Sequence, residues 1–449
     1  MSKDIKIKKG LDIKLVGEAE QQLVAAPKSR TYTIKPSDFH LITPKMIIKE
    51  DHAIAAGAPL FYAKEDPSIK FVSPVSGTLT EIRRGAKRVI THIVITADGT
   101  ENSHDHGKLD VMSASAEAIK ERMLESGLWP FIKQRPYDVI AKTKTAPLAI
   151  YVSGHNSAPL APDANFTLKG KEKEIQAALT ALSKLTEGKV HVSTAAGTTV
   201  FSEMRDIVLH TVKGPHPSGN VGTQINRISP VNKGETVWTV AAEDLPIIGE
   251  ALLTGKFNPE RIISVSGSCI KAPKYYKTKI GAEVSTFVYD AGLKEEHCRM
   301  ISGNVLTGEQ VPPDGSLGYY HKEFVAIPEG DDYEFFGWNK PVFNKISPSR
   351  ALTFSWLNPN KKYDLDTNTN GEHRAFVVTG IYEEVFPLDI YPLQLLKACM
   401  VEDLDAMEQM GMYEVAPEDF ALTEFICVSK QPHQAIIRQG LDTMHKEIG

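Results

Sequence analysis

The sequence predicts a multidomain α/β protein in four parts: a β barrel over 1–100, a parallel α/β domain over 101–258, a β-grasp domain over 259–344 and a mostly helical region over 345–449. Three observations lead there. The chain has 449 residues, about three ordinary domains at roughly 150 residues each. Its first hundred residues hold only brief alternating or apolar runs between turns, whereas the middle alternates apolar runs with amphipathic stretches. Near the end, Ile437, Leu441, Met444 and Ile448 share one helical face, the mark of a terminal helix packing inward.

Composition excludes several classes. Fifty-one Lys and Arg against 56 Asp and Glu leave a net charge of −5, which argues against nucleic acid, whose phosphates demand a basic face. No run approaches the ~20 apolar residues that cross a bilayer. The least charged stretch, Thr145 to Pro162, is broken by Gly154, His155, Asn156 and three prolines. The opening MSKDIKIKKG is charged and lacks the apolar core of a signal peptide. Cys269, Cys298, Cys399 and Cys427 are far apart with no CxxC, which excludes a disulfide framework and the usual zinc or iron–sulfur spacings. A soluble, intracellular, reduced protein is expected.

Each part has its own signals. Ile5-Lys-Ile-Lys-Lys-Gly, Tyr32-Thr-Ile and Lys45-Met-Ile-Ile-Lys are short strands. From Glu50, EDHAIAAGAPLFYAKEDPSIKFVSPVSGTLTEI resembles a lipoyl/biotinyl-carrier barrel. Its turn is Ser73 to Thr78; Gly77 suits a positive φ, and Pro74 a place where no ladder N–H is needed. True carriers hold their prosthetic group on a Lys at a hairpin tip. Here the hairpin is Glu65 to Lys70, with Lys70 beyond the tip and Pro67 about where the acceptor belongs. No covalent cofactor is expected, and the barrel reads as a docking module. Arg83, Arg84, Lys87 and Arg88 then put four cations into six residues. They form either a solvated hairpin tip or an anion-seeking contact for a partner protein or headgroups.

In the middle, Ser113 to Gly127 has capping serines at its start and glycine at its stop, so it reads as a helix. Leu128-Trp-Pro-Phe-Ile-Lys-Gln-Arg-Pro136 follows, then a strand from Pro147 to Gly154. Apolar residues at 175, 178, 179, 182 and 185 mark a second helix. Lys189-Val-His-Val-Ser and Asp206-Ile-Val-Leu-His-Thr-Val are further strands, so a parallel, right-handed βαβ unit is expected. Gly214-Pro-His-Pro-Ser-Gly-Asn-Val-Gly-Thr223 sits after the last strand, where open sheets bind ligands through backbone N–H groups. It is neither GxGxxG nor a Walker loop, so it reads as either a ligand loop or a structural turn. Strands at Ile262–Gly267, Pro273–Ile280 and Met300–Gly308 resemble a β-grasp module of the soluble-ligand-binding (SLBB) type.

Metal and nucleophile motifs are weak. Asp366-Thr-Asn-Thr-Asn-Gly371 begins like a calcium loop, but its twelfth position is Val377 rather than Glu, leaving an Asx-rich turn. His104 and His106 lack a third ligand nearby. There is no HExxH and no GxSxG, and nothing marks a Cys–His pair. No self-contained catalytic site emerges.

The order of segments as a whole resembles the A-subunit family of the Na+-translocating NADH:quinone oxidoreductase. The resemblance rests on Ile7-Lys-Lys-Gly-Leu-Asp, Ser73-Pro-Val-Ser-Gly, Arg84-Gly-Ala-Lys-Arg-Val, Glu125-Ser-Gly-Leu-Trp, Gly214-Pro-His-Pro-Ser-Gly, Ile301-Ser-Gly-Asn-Val-Leu-Thr-Gly, Thr369-Asn-Gly and Phe386-Pro-Leu-Asp, which span nearly the full chain. That family is similar to the flavin- and NADH-binding subunit of respiratory complex I and to the C-type subunit of the related ferredoxin:NAD oxidoreductase. The resemblance implies a Rossmann-like second domain whose cofactor site has been emptied. Where those relatives carry a glycine-rich flavin loop, this chain has Trp129 to Pro136; their acidic strand end is replaced by Gly154-His-Asn-Ser-Ala-Pro-Leu; Glu424-Phe-Ile-Cys-Val-Ser-Lys430 keeps one cysteine of their cluster ligands.

It also implies a peripheral subunit on the cytoplasmic face of the bacterial inner membrane. There it works beside five other subunits, one an integral-membrane flavin carrier, in a complex that passes electrons from NADH to ubiquinone and exports Na+. Flavin and iron–sulfur centres belong to the partners. The family is associated with a quinone, ubiquinone or menaquinone. The vacated region offers Trp129 and Phe131 as an apolar wall and His155, His216, Gly219 and Gly222 as donors, expected to meet at the carboxyl ends of the strands. Alternatively, Trp129 and Phe131 plug the hole as core. An autonomous flavoprotein NADH dehydrogenase, a carrier-dependent acyltransferase and a pure scaffold remain open readings.

Overall fold

The computed structural model describes residues 2–332, 335–336, 343–347 and 352–449. β1 (Asp4–Lys6) and β2 (Glu20–Ala25) come first in the chain, yet neither joins the barrel. β1 runs parallel to a strand of the second domain, and β2 to a strand of the third. This departs from a barrel beginning at residue 1. Ile5 and Ile7 are buried against Val212, over 200 positions away. Their short alternating run fits any half-covered sheet edge, so local pattern could not name the partner.

The barrel comprises β3 (Thr31–Ile34), β4 (Pro44–Met46), β5 (His52–Ile54), β6 (Pro59–Ala63), β7 (Lys70–Val72), β8 (Gly77–Arg84) and β9 (Ile90–Ala97). They form a four-stranded sheet, β3-β9-β8-β5, and a three-stranded one, β4-β6-β7. Phe61 and Phe71 stack at 4.4 Å, with Phe39 tilted against Phe71. Lys70 opens β7 and pairs with Tyr62 in the ladder, beyond the tip of the hairpin. Gly77 is required for a different reason from the one expected. It is not among the positive-φ glycines; instead, a Cβ there would lie 2.1 Å from the Thr96 carbonyl oxygen.

Next come α1 (Ala116–Glu125), capped by Ser115 accepting the Ala118 N–H, and Gly127 at φ +69°. The sheet of the second domain uses β10 (Lys133–Arg135), β11 (Val139–Ile140), β12 (Ile150–Gly154), β13 (Val190–Ala195), β14 (Ile207–Lys213) and β15 (Val237–Ala241). Its order is β1-β14-β13-β12-β15-β10-β11, parallel from β1 to β15, with β10 and β11 antiparallel at the far edge. α2 (Ala164–Thr167) and α3 (Glu172–Ser183) lie between β12 and β13, α4 (Val221–Ile228) follows β14, and α5 (Leu245–Thr254) follows β15. α3 and α5 pack closely because Gly249 meets Glu174; a Cβ there would lie 1.8 Å from its carbonyl oxygen.

The third domain is β16 (Glu260–Ser266), β17 (Lys274–Lys279), α6 (Val284–Ala291), β18 (Cys298–Ser302), β19 (Glu309–Gln310) and β20 (Glu323–Pro328). Its sheet order is β19-β18-β20-β16-β17-β2. α6 covers one face through Phe287 and Val288, against Ile263, Val265, Tyr276 and Phe324. The expected boundary at 344/345 falls in a stretch of which 337–342 and 348–351 lie outside the described residues.

The C-terminal region becomes regularly helical only from α7 (Ile381–Val385), followed by α8 (Pro392–Met400), α9 (Leu404–Gln409), α10 (Ala421–Phe425) and α11 (His433–Ile448). Ile437, Leu441 and Met444 are buried as expected, whereas Ile448 at the last turn is half exposed. Residues 366–370 fold as Asx turns, Asp366 Oδ1 accepting from Asn368 N–H and Asn368 Oδ1 from Asn370 N–H. Buried Arg135 ties this region to the second domain, donating to Asp419 Oδ2 (2.7 Å), Glu418 Oε1 (2.9 Å) and the Glu414 carbonyl (2.7 Å).

Candidate functional site

The loops leaving β12 and β14 meet at the carboxyl ends of the parallel strands. β12 releases the chain at Gly154 into His155, Asn156 and Ser157; β14 releases it into the loop that leads to α4. His155 Nε2 lies 3.3 Å from Ser218 Oγ. Ser157 Oγ accepts the Gly219 N–H at 2.7 Å and sits 3.1 Å from His216 Nδ1, to which it can donate. Ser153 Oγ donates to the Gly219 carbonyl and accepts from Gln224 Nε2, both at 3.0 Å. Glycine is required at 219 because a Cβ would lie 2.4 Å from Ser157 N. One serine thus joins a histidine and a backbone amide from the opposite loop.

Burial pushes both imidazoles toward the neutral form, His216 down to about 4 and His155 in the same direction. The polar groups of this cluster are imidazoles, hydroxyls, amides and carbonyls, with one carboxyl beside them: Asp12 Oδ1 accepts the His216 backbone N–H at 2.9 Å. Such a set recognises neutral hydrogen-bonding groups rather than phosphates. Two buried atoms beside it, Gln224 Oε1 and Thr223 Oγ1, have no partner.

Of the expected donors, His155, His216 and Gly219 therefore come together. Gly222 does something else. A Cβ there would lie 2.4 Å from Asp419 Oδ1 and 2.5 Å from Arg135 Nη1, so this glycine lets α4 seat on the buried ion pair.

Trp129 and Phe131 lie in a single 3-10 turn, Trp129–Phe131, before β10. Trp129 is fully buried; its Nε1 donates to the Ala141 carbonyl at 2.7 Å, and its ring meets Trp238 edge-on at 5.3 Å. Phe131 stacks on Tyr319 at 5.3 Å. Their partners are core groups rather than the histidine cluster.

The four cations Arg83, Arg84, Lys87 and Arg88 occupy the exposed tip of the β8–β9 hairpin. Arg83 pairs with Glu81 at 2.9 Å, and Arg84 Nη1 donates to the Arg88 carbonyl at 3.2 Å.

Glu323, at the start of β20, escaped the sequence reading. It is only 5% exposed. Its Oε1 accepts one long bond, 3.4 Å, from Asn156 Nδ2, and its Oε2 has no partner. Burial pushes its carboxyl up to about 8. The signal was present: an acid directly before the apolar run Phe-Val-Ala-Ile.

Among the described residues no helix is long and apolar enough to cross a membrane, and no group of three or more His, Cys, Asp or Glu could hold a metal.

Family models match three stretches: an NqrA N-terminal barrel-sandwich hybrid domain over 5–98, an NqrA second alpha/beta domain over 114–257, and an NQRA C-terminal domain of SLBB type over 262–312. The A-subunit of the Na(+)-translocating NADH-quinone reductase of Neisseria meningitidis serogroup B is 36% identical over 99% of this chain and 100% of its own length. The chain belongs to the NqrA family, the A-subunits of these reductases. The NqrA proteins of Rhodopirellula baltica and Haemophilus influenzae are each 34% identical, over 98% and 99% of this chain and 98% and 100% of their own lengths. Among solved structures, a chain of an air-oxidized NAD+-reducing [NiFe]-hydrogenase overlays 74% of this chain and 67% of its own with a TM-score of 0.38 at 10% identity, a level that carries no inference.

Proposed function

We propose that the chain is a peripheral subunit of the Na+-translocating NADH:quinone reductase, seated on the cytoplasmic face of the bacterial inner membrane, and that it contacts quinone while holding no NADH site of its own. The neutral cluster around Ser157 carries the second half of this reading. A quinone headgroup is a flat, uncharged ring with two acceptor carbonyls. His155, Ser157, Ser218 and His216 are uncharged groups of the kind that bind it. NADH or flavin would bring phosphates, which need cations or free N–H groups, and here the Gly219 N–H is already bonded to Ser157. The bulky Trp129 turn supports the same reading, since the family resemblance sets it against a glycine loop that must approach a cofactor closely in flavin-binding relatives.

Flavin and iron–sulfur chemistry then lie in partner subunits. Among those, an integral-membrane flavin carrier is the partner we assign to the barrel and its Arg83–Arg88 tip. The second domain is read as Rossmann-like and the barrel as lipoyl-carrier-like with no covalent group; the parallel order of β12 to β15 and the placement of Lys70 support this. The working domain limits are 1–100, 101–258, 259–344 and 345–449, with β1 and β2 lent to the second and third.

Purified alone, the full chain should be colourless, have its unmodified mass and oxidise no NADH with artificial acceptors. Stoichiometric flavin absorption, or turnover in a preparation free of the other subunits, would sink the reading.

A further inference from the structure

Glu323 sits where the third domain closes on the cluster. Its cover is Asn156, the residue after His155, whose side chain is exposed and holds Glu323 by that single 3.4 Å bond. Across the β16–β20 ladder its partner is Ser264, fully buried, whose Oγ also lacks a hydrogen bond. Two unpartnered oxygens thus sit at paired positions of neighbouring strands, one of them on the side chain that the exposed Asn156 amide holds. Buried polar atoms seldom go unpartnered, and a gap of this kind marks a place for a further hydrogen-bonding group.

The surroundings set the protonation. The ionisable groups that act on it are Glu243 from the turn after β15, Tyr275 from β17 and Lys322 immediately before it in the chain; Glu243 in turn neighbours Asp244 and the β16 cation Arg261. Both cations are engaged by Asp244: Lys322 Nζ at 2.9 Å from Oδ2 and Arg261 Nη2 at 3.3 Å from Oδ1. Glu323 is left with no cation of its own, so it stays protonated near neutral pH. A neutral carboxylic acid in a buried joint is a strong hydrogen-bond donor.

We propose that Glu323 is the donor that fixes a neutral carbonyl ligand in this site, giving its O–H to one carbonyl of a quinone-class ring that enters by displacing Asn156, with the Ser264 hydroxyl as its neighbour. The proposal rests on the quinone reading above and adds the residue that would set ligand choice and pH response. It predicts a preference for ligands with an unhindered acceptor carbonyl, because the acid has an O–H to give and no charge.

The test uses the full chain and ubiquinone-1, a short-chain soluble ubiquinone, titrated calorimetrically from pH 6.5 to 9.5. Wild-type affinity should be flat to about pH 8 and then fall about tenfold per pH unit as the donor is lost. Glu323→Gln keeps an N–H donor, so it should bind at every pH with no such fall. Glu323→Ala should bind at least about tenfold more weakly than wild type below about pH 8, with no further fall above it. Melting curves confirm that each variant is folded, and the Gln variant keeps the proposal open to refutation should the Ala variant unfold. Binding with a flat wild-type profile, or a Gln variant that repeats the wild-type fall, leaves the quinone reading standing and rejects the role of Glu323. No binding by any form rejects both.

Discussion

The turn at Trp129–Phe131 and the loops after β12 and β14 belong to the same α/β domain and treat their polar groups in opposite ways. In the turn the side chains close into core: the Trp129 indole N–H finds the Ala141 carbonyl and both rings find aromatic partners, although the Nε1 of the facing Trp238 has no partner. Around the loops the groups are cross-linked to each other yet left incomplete, with Gln224 Oε1 and Thr223 Oγ1 of α4 unpartnered and, against Asn156, Glu323 Oε2 of the third domain. A closed apolar turn is what core looks like. An uncharged polar cluster with spare valence is what a binding site looks like. The difference teaches that one domain can seal an aromatic turn as core and still keep a polar cluster with unpartnered atoms elsewhere.

The largest expected effect separates the two regions. Trp129→Ala empties a fully buried site and should cost about 3–5 kcal/mol by chemical denaturation. Quinone affinity measured below the new melting point should hardly change. A variant that keeps its stability yet loses quinone would reverse the assignment of wall and plug.

A second prediction concerns acid. His216 is held neutral by burial, with a folded value of about 4 against an ordinary value of 6.5. For a base lowered in this way, the stability it contributes is present above 6.5 and is lost as pH falls through about 4. Following thermal melting from pH 7 to 4 should show a loss of about 3 kcal/mol that His216→Asn does not share. Equal losses in both proteins would mean that His216 is not buried in this state.

The smallest stability effect belongs at the barrel tip. Arg84, Lys87 and Arg88 changed together to Ser should shift folding stability by no more than about 0.5 kcal/mol, since exposed charges contribute little. Copurification with the membrane subunits should weaken in a salt-dependent way, most at low salt, where the wild-type attraction is least screened. Unchanged copurification would reject docking through the tip.

Much of this was legible in the chain. The cap at Ser115 and the stop at Gly127 bounded α1, and the stripe from Ile175 to Leu182 marked α3 and hence the βαβ unit. His155, His216 and Gly219 were legible because loops after parallel strands must converge at one end of the sheet. Other features depend on contacts that no local pattern encodes. β1 and β2 cross into distant sheets; Gly77 and Gly222 are glycine because of a carbonyl and an ion pair brought up by tertiary packing; Glu323 becomes anomalous only when the third domain buries it. Ser157, the hub of the cluster, is one ordinary serine among many until its two partners arrive from about sixty residues away.

The central claim is that the polar cluster, and not the aromatic turn, is the ligand side of this domain. Titrating ubiquinone-1 into Ser157→Ala and Trp129→Phe of the full chain tests it directly. Ser157→Ala frees the Gly219 N–H and His216 Nδ1 from their shared partner and should lower affinity at least about tenfold with the fold retained. Trp129→Phe should bind as the parent does. Undiminished binding by Ser157→Ala together with loss in Trp129→Phe, or no binding by the parent chain at all, would contradict the account.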